Sequence, residues 1–131
     1  MPDKPTLTPQ ERALQCARFA LDKKALDVKV LEIRRLTTIA DYLVLATGRS
    51  DKQAQAIAES VKKGLKPYGK ALDVEGLNEG NWIVIDYGDV IVHVFREELR
   101  GYYDLDELWS EAPRLEIPAE YLWEDKEGHG E

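Results

Sequence analysis

The chain has 131 residues, 44% of them hydrophobic and 33% charged, and 18 basic against 25 acidic side chains leave a net charge of −7. That length suits one domain with enough interior to fold alone. The acid excess argues against a phosphate-driven nucleic-acid binder, which gains affinity by setting Lys and Arg against the backbone, and favours a basic protein partner. Cys16 is the sole cysteine, so no internal disulfide forms and a cysteine-rich metal site is excluded. The first ten residues lack the apolar core of a signal peptide, and no apolar run approaches membrane-spanning length, so the chain reads as cytoplasmic.

Taken in chain order, residues 1–7 read as a flexible N-terminus, and "TPQE" then opens a helix. Thr8 is its N-cap, Pro9 takes the first helical position and Glu11 can reach back to the Thr8 N–H. The apolar stripe Leu14, Ala17, Leu21 carries the helix to about Lys23, with Cys16 as a small core residue. "LDVKVLEI" alternates as a half-buried strand, and the apolar run Asp41–Thr47 reads as a central strand covered on both faces. Ser50 with Gln53 predicts a second capping box, followed by a helix that stops before Pro67. "ALDVEG" is a short strand, and residues 76–80 form a Gly- and Asn-rich loop. "WIVIDYGDVIVHVF" (Trp82–Phe95) reads as two strands. One or two short helices follow in "EELRGYYDLDELW", broken near Gly101 or Asp104. Beyond Pro113, residues 114–131 form an acidic tail expected to be loose, pinned locally by Tyr121, Leu122 and Trp123. The order predicts a single mixed-sheet α/β domain over residues 8–113, with about five strands and three helices.

The chemical signals are few. "TGRSDKQ" is a glycine-containing turn before a helix N-terminus, where backbone N–H groups can hold a phosphate. It lacks both the Walker lysine motif and three spaced glycines, so a plain turn capped by Ser50 is the simpler reading. No strand carries the alternating carboxylates that metal-assisted phosphate transfer needs. Asp86 and Asp89 flank "YG", and a Tyr87–Gly88 loop would set Asp86 opposite Asp89 and Trp82 opposite His93. Ile83, Ile85, Val90, Val92 and Val94 would then form the core face. Trp82, Val84, Asp86, Asp89, Ile91, His93 and Phe95 would share the other. Facing carboxylates repel, so Arg96, Arg100, Lys70 or a partner's base should compensate them. His93 is a hydrogen-bonded structural histidine or, less simply, a ligand. Trp82 contributes packing or anchors an interface.

"IADYLVLATGRS", "DVEG", "NWIVIDYGDVIVHVF" and "LRGYYDLDELWSEAP", in this order, resemble the ribosomal silencing factor (Iojap) family from about Thr8 to Pro113. The resemblance implies a domain similar to the nucleotidyltransferase fold without its catalytic acids. It implies a non-catalytic, cofactor-free homodimer that binds the large ribosomal subunit through its L-fourteen protein, blocks small-subunit joining and represses translation under nutrient limitation. A role in large-subunit maturation is implied as well. The implied partner contacts are Trp82, Asp86, Asp89, His93, Arg100 and Tyr103, with no nucleic-acid sequence recognition, metal or membrane. The alternative is a nucleotide-binding enzyme using the Thr47–Ser50 loop.

Overall fold

Local chemistry starts and stops the two long helices. The computed structural model describes residues 6–123, and the expectations for residues 1–5 and 124–131 lie outside them. In α1 (Pro9–Leu21) the Thr8 hydroxyl accepts from the Glu11 N–H at 3.1 Å. The Glu11 carboxylate accepts from the Thr8 N–H at 2.9 Å, completing the predicted box. In α2 (Asp51–Leu65) the Ser50 hydroxyl caps the Gln53 N–H at 3.1 Å, but the reciprocal half is missing. The Gln53 side chain instead accepts from the Arg49 N–H and donates to the carbonyls of Lys23 and Lys24. It ties the start of α2 to the turn that ends α1.

Among the described residues the strands are β1 (Leu26–Glu32), β2 (Tyr42–Gly48), β3 (Asp73–Glu75), β4 (Trp82–Asp86), β5 (Val90–Arg96) and β6 (Arg114–Leu115). They form one sheet in the order β3-β4-β5-β2-β1-β6, in which only the β2–β5 pair is parallel. This is the mixed α/β domain expected, with one strand more. Pleat alternation sorts two cores. Val30, Tyr42, Val44, Ala46, Ile83, Ile85, Val92 and Val94 pack against Ala13, Ala17, Ile57, Ala58 and Val61 of the long helices. On the other face Leu31, Leu43, Leu45 and Phe95 lie under α3 (Glu97–Tyr103) and α4 (Leu105–Leu108), with Leu99, Leu105 and Trp109 against them. β2 is covered from both sides and every one of its residues is buried, which is why it reads as an unbroken apolar run. Each fully buried Val, Leu or Ile stabilises the fold by roughly 1.5–3 kcal/mol.

The β4–β5 hairpin corrects the predicted register. Trp82 opposes Phe95, Val84 opposes His93 and Asp86 opposes Ile91. The Tyr87 N–H donates to the Val90 carbonyl at 2.9 Å, so the loop is Gly88–Asp89 and not Tyr87–Gly88. Gly88, with φ +89, takes the first loop position and supplies its positive φ. The pairing has slipped by two residues, and with a side-chain period of two the faces survive. Ile83, Ile85, Val90, Val92 and Val94 are all fully buried, as the alternation predicts.

Asp86 and Asp89 therefore do not face each other. Asp89 points toward α1, where Arg12 Nε lies 3.0 Å from one carboxylate oxygen and 3.2 Å from the other. The compensating base is Arg12, not Arg96, Arg100 or Lys70. The Asp89 carbonyl also accepts from the Asp41 and Tyr42 N–H groups, so the hairpin tip starts β2.

The chain beyond Pro113 is ordered as far as it is described. β6 pairs with β1, the Tyr121 hydroxyl accepts from Gln15, Arg18 lies 5.8 Å from the Tyr121 ring centre, and the Trp123 indole donates to the Ala25 carbonyl at 3.0 Å. Two of the three residues expected to pin this segment do so; Leu122 is exposed.

Candidate functional site: a partner-docking face of the sheet

The long helices cover one face of the sheet from β4 to β1, whereas α3 and α4 shield the other only over its β2–β1 side and the top of β5. On the β5–β4–β3 side that second face is left half open. Ile91, His93, Val84, Trp82 and Asp86 are each half-buried there. Direct pairing puts Asp73 beside Asp86 and Glu75 beside Val84, so three carboxylates border the same face at its outer edge. Asp73 pushes the Glu75 carboxyl up, through side-chain hydrogen bonding and then through its charge.

The centre of the face is aromatic. The Trp82 ring lies 5.2 Å from Phe95, 5.9 Å from His93 and 4.3 Å from Tyr103. Tyr102 meets Tyr103 edge-on at 5.0 Å and is 78% exposed. Such a cluster has large apolar rings with polar tips, the composition of interface anchors. The Trp82 indole N–H donates to His93 Nδ1 at 2.9 Å. Burial pulls the His93 imidazole down to about 4, so it sits neutral in the cluster.

Tyr103 reaches the cluster because the chain turns sharply behind it. Asp104 is left-handed (φ 54°, ψ 50°), ends α3 and begins α4, and its carboxylate accepts from the Glu107 N–H. This is the break foreseen near Gly101 or Asp104. The turn returns Asp106 to Arg100, whose Nε and Nη2 bind its two carboxylate oxygens at 2.8 and 3.0 Å. Nη1 donates to the buried Thr47 hydroxyl at 2.6 Å. The Arg100 guanidinium and then Lys29, 2.6 Å away, hold the Asp106 carboxyl far below the usual carboxylate range.

Of the six residues expected to meet a partner, Trp82, His93 and Tyr103 are brought together and Asp86 lies at their edge. Asp86 also accepts from the Gly88 N–H at 2.7 Å, closing the hairpin. Arg100 is buried and its guanidinium is taken up by Asp106 and Thr47, so it ties α3 to α4 and β2 and does not stand among the aromatic side chains. Asp89 lies on the helix side and is remote from the group. Sequence reasoning put Phe95 on this face without assigning it to the site, and it missed the rim acids Asp73 and Glu75 and the brace Asp106. Their signal was the period-two alternation of "DVE" against "WIVID", and an acid placed to pair with Arg100.

The Thr47–Ser50 loop has little left for an anion. Its Arg49 N–H donates to Gln53 Oε1, and the N–H groups at the start of α2 donate to Asp51 Oδ1, Ser50 Oγ and the Ser50 carbonyl. Among the described residues no group of three or more His, Cys, Asp or Glu could hold a metal ion. Cys16 is buried, and burial pushes its thiol well up, away from the thiolate. No described helix is long and apolar enough to cross a membrane.

With this geometry in hand, the chain was compared with known proteins. Residues 6–130 match the family model described as "Ribosomal silencing factor during starvation". The chain is 39% identical over 110 residues to "Ribosomal silencing factor RsfS" of Bacillus subtilis, covering 82% of this chain and 93% of that protein. It is 32% identical over 107 residues to "Protein Iojap, chloroplastic" of Zea mays, covering 81% of this chain and 46% of that protein. A crystal structure of a Chromobacterium violaceum protein superposes with a TM-score of 0.77 at 32% identity, covering 86% of this chain and 94% of that one. One from Bacillus halodurans gives 0.73 at 37% identity, covering 82% and 99%. The chain therefore belongs to the ribosomal silencing factor family.

Proposed function

We propose that this protein is a cytoplasmic, non-catalytic translation repressor that docks the half-open sheet face onto the L-fourteen protein of the large ribosomal subunit. The bound domain then stands where the small subunit must approach, and joining is blocked by exclusion alone. One observation carries the reading: Trp82 and His93 are left half-open beside Tyr103 at the end of α3, seated on the buried Phe95, with Asp73, Glu75 and Asp86 along the same face. A greasy centre with an acidic rim complements a basic protein, and the net charge of −7 speeds encounter with one. The chain also forms a homodimer in this reading, which competes with docking only where the two use the same face, and a role in large-subunit maturation fits the same docking.

Purified protein should co-sediment with isolated large subunits and slow subunit joining in light scattering. Normal joining at saturating protein would overturn the proposal. A nucleotide-binding reading has less support, because the Arg49, Lys52, Gln53 and Ala54 amides are bonded within the chain. Millimolar nucleotide with magnesium should leave the melting temperature unchanged.

A further inference from the structure

The turn that ends α1 and the loop that opens α2 meet at one corner of the domain, and that corner is basic. Gln53 Nε2 donates at 3.2 Å to the carbonyls of both Lys23 and Lys24, and Gln53 Oε1 accepts from the Arg49 N–H at 2.7 Å. One side chain therefore draws Lys23, Lys24 and Arg49 together, with Lys52 beside it in the first turn of α2, and all four are exposed. The neighbouring acids are Asp22 and Asp51, the latter accepting from the Lys52 N–H. Cations thus outnumber carboxylates here, on a chain whose net charge is −7. Lys23, Lys24 and Lys52 have no ion-pair partner among the described residues.

Helix electrostatics account for only part of this charge. Lys23 and Lys24 follow the C-terminus of α1, where cations are favoured, but Arg49 and Lys52 flank the N-terminus of α2, where they are disfavoured. A carboxylate brought from elsewhere would offset the excess. The fold leads one acidic segment to this place. Tyr121 is held against α1 by Gln15 and Arg18, and two residues on, the Trp123 indole donates to the Ala25 carbonyl at 3.0 Å. Ala25 directly follows Lys24, so Gln53 and Trp123 take three successive carbonyls of the same turn. Beyond Trp123 the sequence reads "EDKEGHGE", four acids against one base. Glu124, Asp125 and Glu127 lie within about 14 Å of chain from that anchor. Tethering places them at an effective concentration in the millimolar range, which selects this segment over a separate acidic protein.

We propose that residues 124–131 dock through their carboxylates on Lys23, Lys24, Arg49 and Lys52 of the same chain. The segment is a built-in cover for the corner, and any other anionic ligand has to displace it.

A nitroxide on Gly128→Cys in the full chain tests this, since Cys16 is buried and leaves one accessible thiol. In backbone amide NMR spectra, residues 22–25 and 49–53 should lose intensity at ~50 mM salt and regain it at ~1 M, where charges are screened within about 3 Å. The same label on E124Q/D125N/E127Q, which alters no residue of the described fold, should leave those amides sharp at low salt. K23E/K24E/K52E should act likewise. No broadening at low salt, or broadening that salt and neutralisation leave unchanged, would overturn the proposal. So would salt-sensitive broadening centred on Lys62–Lys70, which would seat the segment on the far end of α2. Mixing nitroxide-bearing chains with isotope-labelled chains that lack the nitroxide separates tethered docking from docking between copies. Broadening as strong in that mixture as within one chain would assign the contact to a second copy and refute the proposal.

Discussion

The indole of Trp82 hydrogen-bonds Nδ1 of His93 across a diagonal of the hairpin, since Trp82 itself stands opposite Phe95. A nitrogen that accepts this bond carries no proton, so the imidazole is neutral and any ring proton sits on Nε2. The bond fixes the two rings relative to each other on the proposed docking face.

The first prediction concerns pH. His93 titrates at about 4 in the fold against 6.5 when unperturbed, lowered by burial. The unfolded chain therefore binds the proton first. The stability this neutral ring contributes is complete above pH 6.5 and is lost as pH falls toward 4, by at most about 1.4 kcal/mol per unit. Urea midpoints between pH 7 and 4.5 should fall in the parent and fall less in His93→Gln. Equal slopes would show that His93 is not the titrating group.

Removing the indole separates docking from folding. Trp82→Ala should weaken large-subunit binding by about tenfold or more and cost roughly 1–3 kcal/mol of stability, the ring being half-buried. Trp82→Phe keeps ring packing but not the N–H donor, and should fall between. Sedimentation and urea melts on the same preparations decide: a stability loss with unaltered binding would confine Trp82 to folding.

Arg100 should prove structural in a particular way. Its bidentate bond to Asp106 and its bond to Thr47 need a planar fork, which lysine lacks. Arg100→Lys should lose about 1–3 kcal/mol, and Arg100→Met more, because Asp106 is then left with Lys29 alone. Denaturant melts would register this, and near-ultraviolet circular dichroism should report a loosened Tyr103–Trp82 contact. A parent-like spectrum in Arg100→Lys would contradict the proposed bracing.

Gly76 is required by a close approach. Its φ is +80, and a Cβ added there would lie 2.1 Å from the Trp82 carbonyl oxygen. Gly76→Ala must displace the start of β4, and should cost more than about 1 kcal/mol. It should also weaken ribosome binding although it lies outside the aromatic cluster. An unchanged tryptophan emission spectrum and melt would refute this.

Features that depend on near neighbours were readable from the sequence. The Thr8 box, the Ser50 cap, the Asp104 break and the two faces of the hairpin all follow from spacings of a few residues. Register was not, because the apolar alternation of "WIVID" and "VIVHVF" fits any slip of two equally well, and only the choice between Tyr87–Gly88 and Gly88–Asp89 as loop decides it. Long-range pairs escaped for a different reason. Arg12 and Asp89 are 77 positions apart, and nothing local in either marks the other. The site was legible to the extent that it rests on period two: Trp82 and His93 share a face by parity. Asp89 lies in the turn, where parity fails, and Arg100 carries an exposed residue's chemistry in a buried place. β6 was missed because two residues after Pro113 make too short a strand to show a pattern.

The two margins of the sheet limit how anything can join it. On one side β3 offers three residues, two of them acidic; on the other, β6 offers two, directly after a proline. Both are too short, and the first too charged, to template another chain's backbone. Recognition by strand addition is thereby disfavoured, and with it the indiscriminate pairing that exposes many sheets to aggregation. On the proposed docking face, recognition would then fall to side chains, and the choice of partner to a handful of rings and carboxylates.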